Sequence, residues 1–104
     1  MPADPVLLSL EQIESLHDRA LQSYGGTSGT RDAGLLASAA NQPQNDYFYG
    51  HADLCGVAAA YCFHLAEAQA YLDGNKRTAV AAALVFLAVN GVSLDFDSAA
   101  LFGG

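Results

Sequence analysis

The stretch Gln69-Ala70-Tyr71-Leu72-Asp73-Gly74-Asn75-Lys76-Arg77-Thr78-Ala79 decides how this chain is read. It sets a short polar turn between two apolar segments. Gly74 lets the backbone turn tightly or approach a ligand closely. Lys76 and Arg77 are half of the four basic residues in the chain, and they stand just before the apolar run Thr78 to Val89. A helix beginning there offers unpaired backbone N–H groups and the positive end of its dipole. With the side-chain amide of Asn75 added, these groups suit an anion, most naturally a phosphate. Asp73 supplies a hard carboxylate oxygen of the kind that holds Mg²⁺ beside nucleotide phosphates. Carboxylate, metal, amide and cations are the working parts of phosphoryl transfer. The same letters also fit a plainer arrangement. Asp-Gly-Asn is a common turn, and Lys76 and Arg77 then form a solvated helix start with Asp73 as ion-pair partner. The spacing is not that of a Walker P-loop, and no strand precedes the glycine as a dinucleotide fingerprint needs.

Working outward from this stretch, the pattern is helical. Ser9 with Gln12 reads as a capping box, and Ile13, Leu16, Ala20 and Leu21 share one face of a helix from about Leu10 to Ser23. Gly25 and Gly26 end it, and Thr27 to Thr30 is a loop. A short second helix is expected over Asp32 to Ala40, stopped by Pro43. The aromatic segment Tyr47, Phe48, Tyr49, Gly50 reads as a β-hairpin or flap that touches another molecule, or equally as a loop folded back on the core. Asp53 caps a third helix to about Ala70, with Leu54, Val57, Ala58, Tyr61 and Leu65 in one stripe. Gln69 follows Leu65 by four residues, so on that helix it continues the inward stripe. The run Thr78 to Val89 is apolar on nearly every side, as a central helix is, and Asn90 and Gly91 end it. Asp97 or Ser98 is a candidate start for another helix before Gly104.

Length and composition bound the rest. The 104 residues, 52% hydrophobic and 14% charged, suit one compact all-α domain spanning 1–104. Alanine and leucine dominate, which favours helix. The formal charge of −7 with four cations excludes a broad nucleic-acid surface or a polybasic membrane anchor. Met1 to Leu10 is not a signal peptide, and no apolar run is long enough for a membrane span. A cytoplasmic protein is expected. Cys55 and Cys62, seven residues apart on one helix, are too distant to bridge, and are read as buried free thiols.

The quoted stretch resembles the signature of the Fic/Doc (Fido) family, H-x-F-x-[DE]-G-N-[GK]-R on a loop between two helices. The flanks also resemble the Doc branch: Leu8 to Asp32 its first helix and Tyr-Gly-Gly loop, Gly34 to Gly50 its second helix and flap approach, Ala81 to Gly91 its central helix ending in Asn-Gly. The resemblance implies a helical bundle around a buried central helix, with a short hairpin flap. It also implies roles: Asp73 for Mg²⁺, Asn75 and the backbone after Gly74 for an anion hole, Lys76 and Arg77 for nucleotide phosphates, Tyr71 as the aromatic that fixes the loop. The Tyr47 to Gly50 flap would align the target chain. Lysine at position 76 marks the Doc-like group, in which the γ-phosphate of ATP passes to a protein hydroxyl; glycine there goes mostly with AMP transfer. The expected output is arrested translation through elongation factor Tu as family target, in a type II toxin–antitoxin system with a Phd-type antitoxin.

Two departures stand out. Gln69 occupies the position of the family histidine, which takes the proton from the target hydroxyl. An amide can orient that hydroxyl but cannot accept its proton near neutral pH, which brings a nucleotide- or protein-binding pseudoenzyme into consideration. Among the other histidines, His64 is five residues earlier and about 140° away around the helix, His51 lies beside the flap, and His17 has no evident role; each is read as a surface or half-buried side chain. Second, Doc-like proteins carry a further C-terminal helix, whereas this chain ends soon after the central one. Its absence would expose apolar surface and favour association, including a homo-oligomer.

Overall fold

The computed structural model describes residues 4–92. Four helices follow in order: α1 (Leu10–Tyr24), α2 (Ala33–Phe48), α3 (Leu54–Ala68) and α4 (Asn75–Val89). The fold is all-α, as expected. The one β-type pairing among the described residues is an isolated bridge between Thr30 and Tyr71.

Each helix starts where its sequence provides a cap. Ser9 and Gln12 form the reciprocal capping box on α1: the Gln12 N–H donates to Ser9 Oγ at 3.1 Å, and the Ser9 N–H donates to Gln12 Oε1 at 2.7 Å. Asp32 and Asp53 cap α2 and α3 through the N–H groups of Leu35 and Gly56. α4 is the exception. Its N-cap is Gly74, in the left-handed region at φ 77°, and no side chain caps it.

α3 packs between α2 and α4, and α1 closes against α4. The core is built from Ile13, Val57, Tyr61, Ala79, Ala82 and Phe86, with the Tyr61 and Phe86 rings 5.4 Å apart. Alanines on α3 and α4 let the two helices approach closely. The segment before α1 is tied across this core. The Leu8 N–H donates to the Tyr61 hydroxyl at 2.9 Å, and Asn90, at the end of α4, exchanges two hydrogen bonds with the Val6 backbone. α4, expected to be buried all round, buries Thr78, Ala79, Ala82 and Phe86 but leaves Val80 and Val89 about half exposed.

Three expectations require correction. α2 does not stop at Pro43. It continues through this buried proline to Phe48, because a proline removes only one intrahelical bond and here fills a core position. The segment read as a hairpin flap is therefore helical. Tyr47 and Phe48 form the last turn of α2, Tyr49 is its C-cap, and Gly50 closes the turn by donating to the Asp46 carbonyl. Tyr47 folds back, its hydroxyl donating to Asp4 at 3.2 Å, while Phe48 and Tyr49 stay outside, Tyr49 at 82% exposure. Finally, the cysteines are free but not buried: Cys55 is exposed and Cys62 half-buried. The helix anticipated at Asp97 or Ser98 lies outside the described residues.

Candidate functional site

The turn between α3 and α4 is held from within and from outside. Within it, Asn75 spans the loop: its Oδ1 accepts the Tyr71 N–H at 3.0 Å, and its Nδ2 donates to the Tyr71 carbonyl at 2.9 Å. The side-chain amide expected to face an anion thus closes the loop, which commits Oδ1 and one of the two Nδ2 hydrogens, and the first turn of α4 adds backbone N–H groups that no side chain caps. From outside, the α1–α2 loop is laced to the same turn. The N–H groups of Arg31 and Asp32 both donate to the Ala70 carbonyl, at 2.6 and 3.0 Å, and the Leu72 N–H donates to the Gly29 carbonyl at 3.0 Å.

Tyr71 fills the position where the family carries phenylalanine, and is 4% exposed. It stacks flat on His17 of α1, with ring centroids 3.6 Å apart and planes 6° from parallel. His17 Nε2 lies 2.8 Å from the Asp73 carbonyl. A carbonyl only accepts, so Nε2 carries the hydrogen. His17, read from sequence as a surface or half-buried residue without a role, is therefore buried against the turn it supports. Nothing in its local sequence signals this, because its partners lie 54 and 56 positions away.

Tyr71 also brings a burden. Its hydroxyl is buried without a hydrogen-bond partner. Burial, with Glu14 and Asp18 nearby, pushes its pKa up to about 12. Replacing the phenol by phenyl removes an unsatisfied polar group, so Tyr71→Phe is expected to stabilise the fold by about 1 kcal/mol. The pH dependence has a definite sign. Unfolded tyrosine ionises near its ordinary value of about 10, while the folded group keeps its proton to higher pH, so stability falls as pH rises between those values. Chemical denaturation from pH 7 to alkaline pH should show that decline in the native chain and a flatter profile in Tyr71→Phe.

These ties shape a cavity of about 540 Å³. One side is the end of α1 and its loop, with Tyr24, Gly25, Gly26 and Arg31. The other is the motif, with Gln69, Asp73, Gly74, Asn75, Lys76 and Arg77. The Asp73 carboxylate stands between them: Oδ2 accepts the Thr27 N–H at 3.2 Å and Oδ1 the Gly74 N–H at 2.9 Å. Gly26 makes this approach feasible, since a Cβ there would lie 2.7 Å from Asp73 Oδ2. The alternative reading of the turn, an Asp73 ion pair with Lys76 or Arg77, does not occur. The one side-chain ion pair among the described residues joins His64 to Asp46. Arg77 lies over the Tyr24 ring instead, 3.9 Å from its centroid, a cation–π arrangement that fixes its direction.

Gln69 lines this cavity, but not as the continuation of a helical stripe. α3 ends at Ala68, and Gln69 is its C-cap in the left-handed conformation at φ 46°, which turns the side chain out of the core. None of the histidines lines the cavity: His17 sits behind the loop, His64 is beside Asp46 on the α2–α3 face, and His51 is exposed after α2. Arg31 does line it, which sequence reading missed. Three of the chain's four cations thus surround one cavity in a molecule of net charge −7. No cluster of three or more metal-ligating side chains occurs among the described residues. A single carboxylate with vacant coordination suits Mg²⁺ carried in by phosphates and water, and does not suit a dedicated protein cage such as a zinc centre.

The scaffold is all-helical and presents an uncapped helix N-terminus, a carboxylate and three cations around one cavity. The chain belongs to the Fic/DOC family, whose family model matches residues 7–87. It is 38% identical over 92 residues to "Protein kinase doc" of Escherichia phage P1, a match covering 88% of this chain and 72% of that protein. It is 48% identical over 80 residues to "Toxin Doc" of Mycolicibacterium smegmatis, covering 72% of this chain and 61% of that one. Among the described residues, no helix is long and apolar enough to cross a membrane.

Proposed function

We propose that this chain is a Doc-like toxin that binds Mg²⁺·ATP in the cavity between the α1–α2 loop and the start of α4, and passes a phosphoryl group to a hydroxyl of a protein. The observation that carries this reading is the concentration of Arg31, Lys76 and Arg77, free of carboxylate partners among the described residues, around the uncapped N-terminus of α4. Such a site binds anions through backbone N–H groups and fixed charge. In its roles, Asp73 holds Mg²⁺, which would neutralise developing charge on the phosphates. The backbone of Gly74 and Asn75 with Lys76 and Arg77 cradles the phosphates, and Gln69 orients the attacking hydroxyl. The relative named a protein kinase supports phosphoryl rather than AMP transfer, as does lysine at position 76. Phe48 and Tyr49, exposed at the end of α2, take the place in the target-docking role that the expected hairpin held. A cytoplasmic toxin paired with a Phd-type antitoxin, with elongation factor Tu as target, completes the reading by analogy with the relatives.

One observation favours a second reading, a nucleotide-binding pseudoenzyme: no histidine lines the cavity, so nothing replaces the base that Gln69 lacks. Incubation with Mg²⁺, a bacterial lysate and either γ- or α-labelled ATP decides among these. Protein labelling from the γ position supports the kinase, and labelling from the α position indicates AMP transfer. Tight Mg²⁺·ATP binding with no labelling identifies the pseudoenzyme. Calorimetry supplies the binding arm. Lys76→Ala and Arg77→Ala are each expected to weaken Mg²⁺·ATP binding about tenfold or more, the worth of one charge-assisted phosphate contact. Failure of the native chain to bind Mg²⁺·ATP sinks both readings.

A further inference from the structure

We propose that Arg31 is a third phosphate-binding residue, which extends the cradle at α4 into a site for a chain of phosphates rather than for a single one. The inference rests on the nucleotide-binding reading above. Three observations carry it.

First, Arg31 reaches the cavity from a different element than Lys76 and Arg77. Those two belong to the first turn of α4, where backbone N–H groups without a side-chain cap would serve one phosphate. Arg31 belongs to the α1–α2 loop. Its backbone N–H is bonded to the Ala70 carbonyl, so its Cα is fixed beside the Gln69 end of the motif.

Second, that position is held firmly. The Asp32 N–H bonds the same carbonyl, Thr30 bridges Tyr71, and the Asp32 carboxylate is committed to capping α2 at Leu35. The neighbouring acid is therefore occupied with the α2 cap, and no acid–Arg31 ion pair occurs among the described residues. An arginine on an anchored backbone, without a carboxylate partner, adds positive charge to a cavity that two further cations line. An anion spanning the cavity would pair with all three.

Third, the cations come from two segments, the α1–α2 loop and the start of α4, and the Asp73 carboxylate ties that loop to the turn before α4 through the N–H groups of Thr27 and Gly74. A lone phosphate satisfied at the α4 N-terminus gains little from Arg31. A di- or triphosphate with Mg²⁺ at Asp73 engages both ends. The planar guanidinium suits a phosphate bearing two free oxygens, and the phosphate nearest Gln69 is the one closest to the transfer step.

The test titrates the native chain, Arg31→Gln, Arg31→Lys and Arg77→Gln with inorganic phosphate, tripolyphosphate and ATP, each with Mg²⁺, by calorimetry and chemical-shift mapping. Arg31→Gln is expected to weaken tripolyphosphate and ATP by about 10- to 100-fold, as one charged hydrogen-bonding group would, while inorganic phosphate changes less than about twofold. Arg31→Lys should recover part of the loss. Comparable loss for ATP and tripolyphosphate assigns the contact to the phosphates, and loss confined to ATP, which places Arg31 on the nucleoside, overturns it. Equal loss for phosphate and tripolyphosphate also overturns the inference, since Arg31 then acts only as a diffuse charge. Unchanged tripolyphosphate and ATP binding in Arg31→Gln, with loss in Arg77→Gln, overturns it while leaving the nucleotide site intact, and directs Arg31 to the protein target. If the native chain binds neither ATP nor tripolyphosphate, the nucleotide reading falls and this inference with it. The side chain is exposed, so thermal unfolding should be unchanged in every Arg31 variant.

Discussion

Gln69→His is expected to raise the rate of protein labelling from γ-labelled ATP by about 10²–10⁴-fold, the usual contribution of a positioned general base. The glutamine amide can accept a hydrogen bond from a target hydroxyl and so aim it, but near neutral pH it cannot take the proton as the oxygen attacks phosphorus. Histidine can. The position tolerates the exchange: residue 69 is exposed, lies in the left-handed region at φ 46°, and forms none of the ties that hold the loop. Histidine is among the residues enriched in that backbone region. Stability and Mg²⁺·ATP affinity should therefore hardly change, which separates a gain in chemistry from a gain in binding. Phosphoryl transfer draws most of its rate from positioning and charge, so the native chain retains a base-independent rate in the kinase reading. Initial rates at saturating Mg²⁺·ATP for the native and Gln69→His forms provide the measurement. Equal rates at equal nucleotide occupancy would sink the assignment of residue 69 as the base position.

How much of this was legible in the sequence divides along a physical line. The caps at Ser9 and Asp53 are local, acting over three residues, and each appears where its pattern indicates. The stop of α4 at Asn90 is similarly local. Pro43 misled because its usual cost, one lost backbone bond, was set against nothing visible in the sequence. Its burial in the core supplies the compensation, and the hairpin reading of Tyr47 to Gly50 failed with it. The motif's residue types pointed to a site at this turn, and a cavity lies there, but its walls were only half legible. Lys76 and Arg77 announce themselves as neighbours in an acidic chain. Arg31 stands 45 residues before Lys76 and joins them only because the Ala70 carbonyl accepts the N–H groups of Arg31 and Asp32. Asn75 was read by its chemistry as a ligand donor, whereas the loop uses that amide for its own closure. A polar side chain near a turn is claimed first by the nearest unsatisfied backbone groups, because leaving them unpaired in a part-buried site is costly.

The largest stability effect belongs to a residue outside the motif. His17→Ala is expected to cost about 2–3 kcal/mol, from the lost ring stack on Tyr71, the cavity left in a buried site and the orphaned Asp73 carbonyl. For a chain of this size that lowers Tm by roughly 10–20 °C. His17→Phe divides the effect into its parts. A phenyl ring preserves the stack but cannot donate to the Asp73 carbonyl, so the fold should lose only about 1 kcal/mol. The functional consequence should be larger than that figure suggests. The Asp73 main chain is fixed by His17 from behind, while its carboxylate is fixed from in front by the N–H groups of Thr27 and Gly74. Removing the rear tie lets the carboxylate proposed to hold Mg²⁺ shift relative to the α4 N-terminus, although every residue lining the cavity is unchanged. His17→Phe should therefore need several-fold more Mg²⁺ for half-saturation of ATP binding, with little change in metal-free binding. Since a merely structural role would move Tm without altering the Mg²⁺ midpoint, a native midpoint in a destabilised His17→Phe protein would restrict His17 to packing. A displaced midpoint makes it the positioning residue of the metal site.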